Sequence, residues 1–252
     1  MNVLLNNQAR NVHHRVARSA YALFAAVVLA LAACAPGDDP TSSQSSQPAQ
    51  GTRSLPIAPI AQQTEVWCWA ASAEMVFRHF GLPQLNPAGN YQCGIVAAYY
   101  GPNSPCWFNC FACVSAIGPI SNAQILINGY GQVARQFTTS RVLTSTLVFS
   151  GLTFNDTVRE IDEGRPIVAG ISPSGYSYPN LSQHLVVVVG YQNQGGIQAI
   201  LVNDPFPYEA FPASPNPYFL AGATRPRPGQ YLVPYAAMIN RLQWGNSIYQ
   251  IR

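Results

Sequence analysis

Gln62-Gln63-Thr64-Glu65-Val66-Trp67-Cys68-Trp69-Ala70-Ala71-Ser72-Ala73-Glu74-Met75-Val76-Phe77-Arg78-His79-Phe80-Gly81 is the stretch on which the reading of the chain turns. From Trp69 onward its residues are good helix formers, and Gly81 followed by Pro83 stops the run. Cys68 therefore stands at or near a helix N-terminus, where partial positive charge and free N–H groups favour a thiolate. A buried core thiol is the bland alternative, and for a lone cysteine it usually wins. The rest of the chain has to decide.

The 252 residues are 48% hydrophobic and only 9% charged, which supports one good-sized core and argues against disorder over most of the length. Lysine is absent, so lysine Schiff-base chemistry and phosphate-binding P-loops are excluded. No Gly-x-Ser-x-Gly elbow is present either. The formal charge of +3 comes from Arg10, Arg15 and Arg18 near the N-terminus. Beyond them ten arginines face ten acidic residues, so nucleic acid is not an implied partner.

After the basic residues comes an apolar run, Ala20 to Ala33, too short to span a bilayer comfortably but right for a signal-peptide core. It ends Leu31-Ala32-Ala33-Cys34, which resembles the bacterial lipoprotein box. That resemblance implies cleavage after residue 33, lipidation of Cys34 and export to the cell envelope. An ordinary signal peptide with an incidental cysteine is the alternative. Ala35 after the cysteine, by resemblance to Gram-negative lipoproteins, suggests the outer membrane. Residues 34–56 are expected to be a flexible tether, since the Pro, Ser, Gln and Gly content up to about Ser54 cannot bury enough apolar surface to offset its ordering entropy. The folded domain is then 57–252.

Between Leu82 and about Ser121 the chain reads as irregular and carries Cys93, Cys106, Cys110 and Cys113. In an exported protein an even, closely spaced set reads as two disulfides, with three possible pairings. Cys110-x-x-Cys113 also has zinc-ligand spacing, and a redox pair is a third reading that lacks a strand–helix–strand context. The disulfide reading is preferred and no metal is expected. Residues 132–150 read as strands or irregular chain. A short helix is expected over 156–163, a buried strand over 167–171, and the strongest strand over 182–191. Residues 192–196 form a turn, 197–203 the return strand, and 205–229 a long surface loop. Late strands are expected near 231–233 and 247–251, with a short helix near 235–241 between them.

A cysteine nucleophile needs a base, and the base needs an orienting group. Past the leader the histidines are His79 and His184. Eleven helical residues put His79 about 16 Å along the axis from Cys68, out of reach. His184 is therefore the partner if Cys68 is catalytic. If the turn 192–196 is symmetric about Gln194, His184 faces Asp204 across the hairpin, on the same face of the sheet. A bulge or a different turn would shift the register by one and favour Asn203.

Gln62 six residues before Cys68, the Cys68-Trp69-Ala70-Ala71 helix start, His184 opening an apolar strand that ends Val-Gly-Tyr, and Ile200-Leu201-Val202-Asn203-Asp204-Pro205 together resemble the papain-like cysteine peptidases. The likeness is to the bacterial branch with bacteriocin-leader peptidases and plant-pathogen effector proteases, and Glu160 to Pro166 looks like that branch too. The resemblance implies an α+β fold of two lobes, the Cys68 helix in an N-terminal helical lobe and an antiparallel sheet with His184 and Asp204 in the other. It implies Cys68 as nucleophile, His184 as general base and acid, Asp204 as orienter, and Gln62, or Gln63 if the loop is shorter, as oxyanion donor. Such a peptidase needs no cofactor, takes a peptide or protein substrate, meets the membrane only through its lipid, and is expected to be a monomer. The same residues acting as an amidase or acyltransferase, or a catalytically silent binding module, are the competing readings.

Overall fold

The computed structural model describes residues 50–181, 183–211 and 215–252, all within one compact unit. The expected signal peptide and Cys34 lie outside the described residues. In chain order the elements begin β1 (Gly51–Ser54), α1 (Cys68–His79), α2 (Tyr91–Tyr100), α3 (Ile120–Ala134), β2 (Thr146–Val148), α4 (Phe154–Asp162) and β3 (Ile167–Ile171). They continue β4 (His184–Gln194), β5 (Ile197–Asn203), α5 (Pro217–Leu220), β6 (Thr224–Arg227), β7 (Gln230–Pro234), α6 (Tyr235–Asn240) and β8 (Asn246–Tyr249). The class is α+β, as expected: three early helices, then an antiparallel sheet in the order β2-β8-β3-β4-β5-β7-β6.

Helix α1 is the hub of the packing. Every residue from Cys68 to Phe77 is buried, so the helix is enclosed on all sides, with Ser72 and Glu74 as its buried polar members. Its small residues Ala70, Ala71, Ser72 and Ala73 let it approach β4, and the Ser72 hydroxyl donates to the Leu185 carbonyl at 3.0 Å. One turn separates Ser72 from Cys68, and Leu185 follows His184, so this bond ties the start of the helix to the start of the strand. On the other side Phe77 stacks on Tyr130 of α3 with ring centroids 4.2 Å apart, a pairing worth roughly 0.5–1.5 kcal/mol beyond its buried area.

Strand β4 lies at the centre of the sheet. Along one edge β3 pairs with residues 184–188 and β1 with 190–193; along the other runs β5. Strand β1 corrects the expected tether: Gly51–Ser54, inside the stretch read as flexible, is a paired strand. The sequence signal for it is in the partner. A Cβ on Gly190 would sit 2.6 Å from the Arg53 carbonyl oxygen, so glycine there is what admits β1.

The stretch read as irregular holds α2, capped by the Asn90 side chain accepting from the Cys93 N–H at 3.0 Å. Residues 91–97 are buried on every side, so the helix carries no polar face and leaves no period to read. Helix α3 takes in Gln132–Ala134, where the sequence predicts strand or irregular chain. Its Gly131 resembles a breaker but is a close-packing residue, since a Cβ there would fall 2.0 Å from the Arg141 carbonyl oxygen. The segment 205–229 is not a featureless loop, for it contains α5 and the edge strand β6. The remaining strands and the short helices α4 and α6 fall within a few residues of their expected places.

The β4–β5 register differs from the expected one in an instructive way. The turn is the two-residue Gly195-Gly196, both at positive φ (61° and 80°), as a tight hairpin with right-twisted strands requires. Gln194 therefore faces Ile197, and Gly190 faces Leu201. Continued to the strand end, that register would place Asn203 on the face of His184. An irregularity between Val188 and Gly190 shifts the pairing by one, so that Val187 faces Asn203. The tight turn and the bulge change the face twice, and Asp204 returns to the side of His184 as a diagonal rather than a direct neighbour.

Candidate active site

Cys68 is the first residue of α1 and is 2% exposed. Trp67 precedes the helix without a side-chain cap, so the N–H groups of the first turn are not consumed by one. The two indoles flanking Cys68 reach the same loop: Trp67 Nε1 donates to the Cys113 carbonyl at 3.3 Å and Trp69 Nε1 to the Ser115 carbonyl at 3.2 Å. That loop is fixed by the disulfides Cys93–Cys110 and Cys106–Cys113, which resolve the three possible pairings into one. Cys68 is the free cysteine among the described residues. Beside it lies a cavity of about 230 Å³ whose walls include Trp69, Ile117, Leu181 and Leu185.

His184 opens β4 and is fully buried. Its Nε2 lies 2.6 Å from Asp204 Oδ1. Asp204 also accepts the Phe206 backbone N–H at 2.7 Å on Oδ1 and the Tyr208 hydroxyl at 2.7 Å on Oδ2. A carboxylate surrounded by donors is an ionised acceptor, so the network assigns the hydrogen to Nε2. Nδ1 then points away from Asp204 and has no hydrogen-bond partner among the described residues. Burial works against charge on the ring, but the charge of Asp204, its hydrogen bond and the adjacent Cys68 outweigh it. The His184 pKa is raised to about 10. The imidazolium is thus the stabilised form, as a thiolate partner requires.

An aromatic shell encloses this pair. The Tyr178 ring stacks on His184 with centroids 4.2 Å apart, and Phe206 meets it edge-on at 5.9 Å. Tyr178 and Tyr208 are joined through their hydroxyls at 2.8 Å. Burial, then the charge of Asp204, pushes both phenols well above their ordinary pKa, so both stay neutral hydroxyl donors.

Gln62, 7% exposed, lies on the Asp204 side of the loop before α1, its backbone N–H donating to the Pro205 carbonyl at 2.9 Å. Its Nε2 gives one hydrogen to the Thr64 carbonyl at 2.8 Å and keeps a second. Gln63 is exposed and accepts from Asn90 Nδ2 at 2.8 Å, so it belongs to the α2 cap. Asn203 faces away from His184, with Nδ2 on the Ile57 carbonyl at 2.9 Å and Oδ1 on Gln230 Nε2 at 2.7 Å. His79 bonds the Gly164 carbonyl at 2.8 Å at the far end of the helix.

The structure therefore brings Cys68, His184 and Asp204 to one place and sets Gln62 beside the segment that follows Asp204. Sequence reasoning missed Tyr178 and Tyr208, which sit in segments without periodicity. The one available signal was aromatic density, Tyr176, Tyr178, Phe206, Tyr208 and Phe211 bracketing the two strands.

The model of the Peptidase_C39 like family matches residues 54–213, more than half of the chain. Among the solved structures that match is digestive procathepsin L 3 of the Tenebrio molitor larval midgut, at 13% identity and a TM-score of 0.45, covering 81% of this chain and 71% of that one. No curated protein matches. The chain belongs to the Peptidase_C39 like family.

Proposed function

From that membership we propose that the protein hydrolyses peptide amide bonds, with Cys68 as nucleophile, His184 as general base and acid, and Asp204 as the group that orients His184. The observation that carries this reading is the 2.6 Å Asp204–His184 bond, which leaves Nδ1 unoccupied beside the thiol at the start of α1. Nδ1 takes the thiol proton, and the sulfur attacks the substrate carbonyl carbon. The resulting oxyanion is held by the Cys68 backbone N–H and by the second hydrogen of Gln62 Nε2; one such donor is typically worth about 10²–10³ in rate. Nδ1–H then protonates the departing amine as the C–N bond breaks, leaving a thioester on Cys68. Water gives a proton to His184 and attacks the thioester, the acid is released, and the thiol is restored.

We further propose that the protein is exported and anchored by lipid on Cys34. Support comes from the Leu31-Ala32-Ala33-Cys34 box and from two disulfides, which persist in oxidising compartments. The test of the catalytic reading is labelling with a thiol-reactive peptide inhibitor. Cys68 should label fast, and His184→Ala should reduce the rate by at least about 10²-fold. Slow labelling, or labelling indifferent to that change, overturns the reading. Export is checked by radiolabelled-lipid incorporation that disappears in Cys34→Ser.

A further inference from the structure

The catalytic reading uses Cys68, His184, Asp204 and Gln62 and leaves a pair of buried hydroxyls unexplained. Asp204 Oδ1 is occupied by His184 Nε2 and the Phe206 N–H, while Oδ2 has the Tyr208 hydroxyl, 2.7 Å away. Because the proton of Tyr208 is committed to Asp204, the Tyr178–Tyr208 contact at 2.8 Å has one direction: Tyr178 donates and Tyr208 accepts. The chain of donors therefore runs from Tyr178 through Tyr208 to the carboxylate, and His184 donates into the same carboxylate from the other side. Tyr178 then closes the circuit, since its ring covers the face of His184 at 4.2 Å with 28° between the planes. Two residues from different segments, one before β4 and one after β5, hold both the carboxylate and the ring that it orients.

We infer that Tyr208 and Tyr178 are positioning residues of the proposed reaction: Tyr208 fixes the free oxygen of Asp204, and Tyr178 fixes Tyr208 and the plane of the His184 ring. This inference rests on the proposed function. The carboxylate would otherwise be anchored through one oxygen and free to turn about its terminal torsion, which is broad and roughly two-fold. A turned carboxylate loses the Nε2 bond and with it the stabilisation of the imidazolium. The titratable groups facing His184 are Cys68 from α1, Asp204 from the end of β5 and Tyr178; those facing Asp204 include Tyr176, Tyr208, Tyr218 and Tyr231. Among them, Tyr208 and Tyr178 are the tyrosines joined to the carboxylate by the hydrogen bonds above.

The sign of the effect follows. The 2.6 Å Asp204 bond and the charge of Asp204 favour the imidazolium form of His184. Loosening Asp204 weakens that form, so reactivity that depends on it should appear only at higher pH. The test is the rate of Cys68 alkylation by iodoacetamide as a function of pH, on the full chain. In Tyr208→Phe the pH midpoint of reactivity should rise by about one unit, with a rate about tenfold lower below the wild-type midpoint, as expected for a hydrogen bond to a charged group. Tyr178→Phe keeps the ring and should give a smaller shift of the same sign. Tyr130→Phe removes a buried hydroxyl on the Pro83 carbonyl, 2.8 Å away and remote from Asp204, and serves as control: lower Tm, unmoved midpoint. If Tyr208→Phe does not fold, the Tyr178→Phe shift decides.

Two failures are distinguishable. If wild-type Cys68 reacts slowly and His184→Ala changes nothing, the catalytic reading itself falls. If wild-type Cys68 reacts through His184 but both tyrosine variants keep the wild-type midpoint, or lose only Tm as Tyr130→Phe does, the positioning role is overturned and the catalytic reading stands.

Discussion

Cys68 and His184 are neighbours held by supports of different kinds. Around Cys68 the support is covalent at one remove: two indoles bond to a loop closed by two disulfides, and the loop in turn forms part of the cavity wall. Around His184 neither disulfide takes part. The support is a sheet register, a carboxylate with three donors, and stacked aromatic rings. The first kind is sensitive to thiol chemistry and indifferent to protons; the second is the reverse. One site therefore has two independent vulnerabilities, and each can be struck without the other.

The hardest strike on the His184 side is Asp204→Asn. The amide keeps the shape but presents a donor to one of its neighbours and cannot stabilise the imidazolium, so kcat should fall by about 10²–10⁴-fold with KM little changed. Steady-state kinetics on a peptide substrate check this. The same variant tests the electrostatics of folding. His184 has its pKa raised to about 10, so the imidazolium contributes stability that is complete below its unfolded value and is lost as pH climbs through the folded one. Wild-type Tm should accordingly fall between about pH 6.5 and 10, and Asp204→Asn should flatten that slope. An unchanged slope would mean that the Asp204–His184 pair does not couple proton binding to folding.

On the other side the matching strike is Cys106→Ala with Cys113→Ala. Opening this short loop should cost about 2–3 kcal/mol of stability by chain entropy, read as a lower midpoint in urea. Activity should fall as well, by about tenfold, because the carbonyls of Cys113 and Ser115 that hold the two indoles lose their anchor. The pH midpoint of Cys68 alkylation should stay where it is, since His184 and Asp204 are untouched. A shifted midpoint would show that the two supports are coupled after all.

The same division governs what could be read from the sequence. The strand of His184 announced itself through an unbroken apolar run, and the Cys68 helix through its formers and its Gly81–Pro83 stop. These are local signals. Helix α2 gave none, being buried all round, and the glycine of α3 at Gly131 has a reason that no local signal carries, a backbone passing 2.0 Å from where a Cβ would be. The hairpin is more subtle. A symmetric five-residue turn put Asp204 directly across from His184; the true turn has two residues and a bulge follows near Val189, and the two departures cancel in face though not in register. A turn glycine pair is legible, but a bulge inside a run of four valines is not, because it depends on what packs on both sides of the strand. Tyr178 and Tyr208 lie beyond any periodic rule, for their positions are set by the carboxylate they serve.

One hydrogen bond joins the Cys68 helix directly to the His184 strand, and it offers the finest test of the independence of the two supports. The Ser72 hydroxyl donates to the Leu185 carbonyl at 3.0 Å, one turn from Cys68 on the helix and one residue from His184 on the strand. Ser72→Ala keeps the small size that the helix–sheet approach needs, and it leaves a buried carbonyl without that donor, at a cost of about 1 kcal/mol. If the supports position their residues independently, the loss should appear as stability alone, with Tm lower and both the alkylation midpoint and kcat within about twofold of wild type. If this bond sets the separation of thiol and imidazole, kcat should fall about tenfold while the Asp204-dependent pH slope of Tm is retained, since a misplaced thiol does not disturb the carboxylate. Measuring kcat and that slope on the same variant separates the two cases.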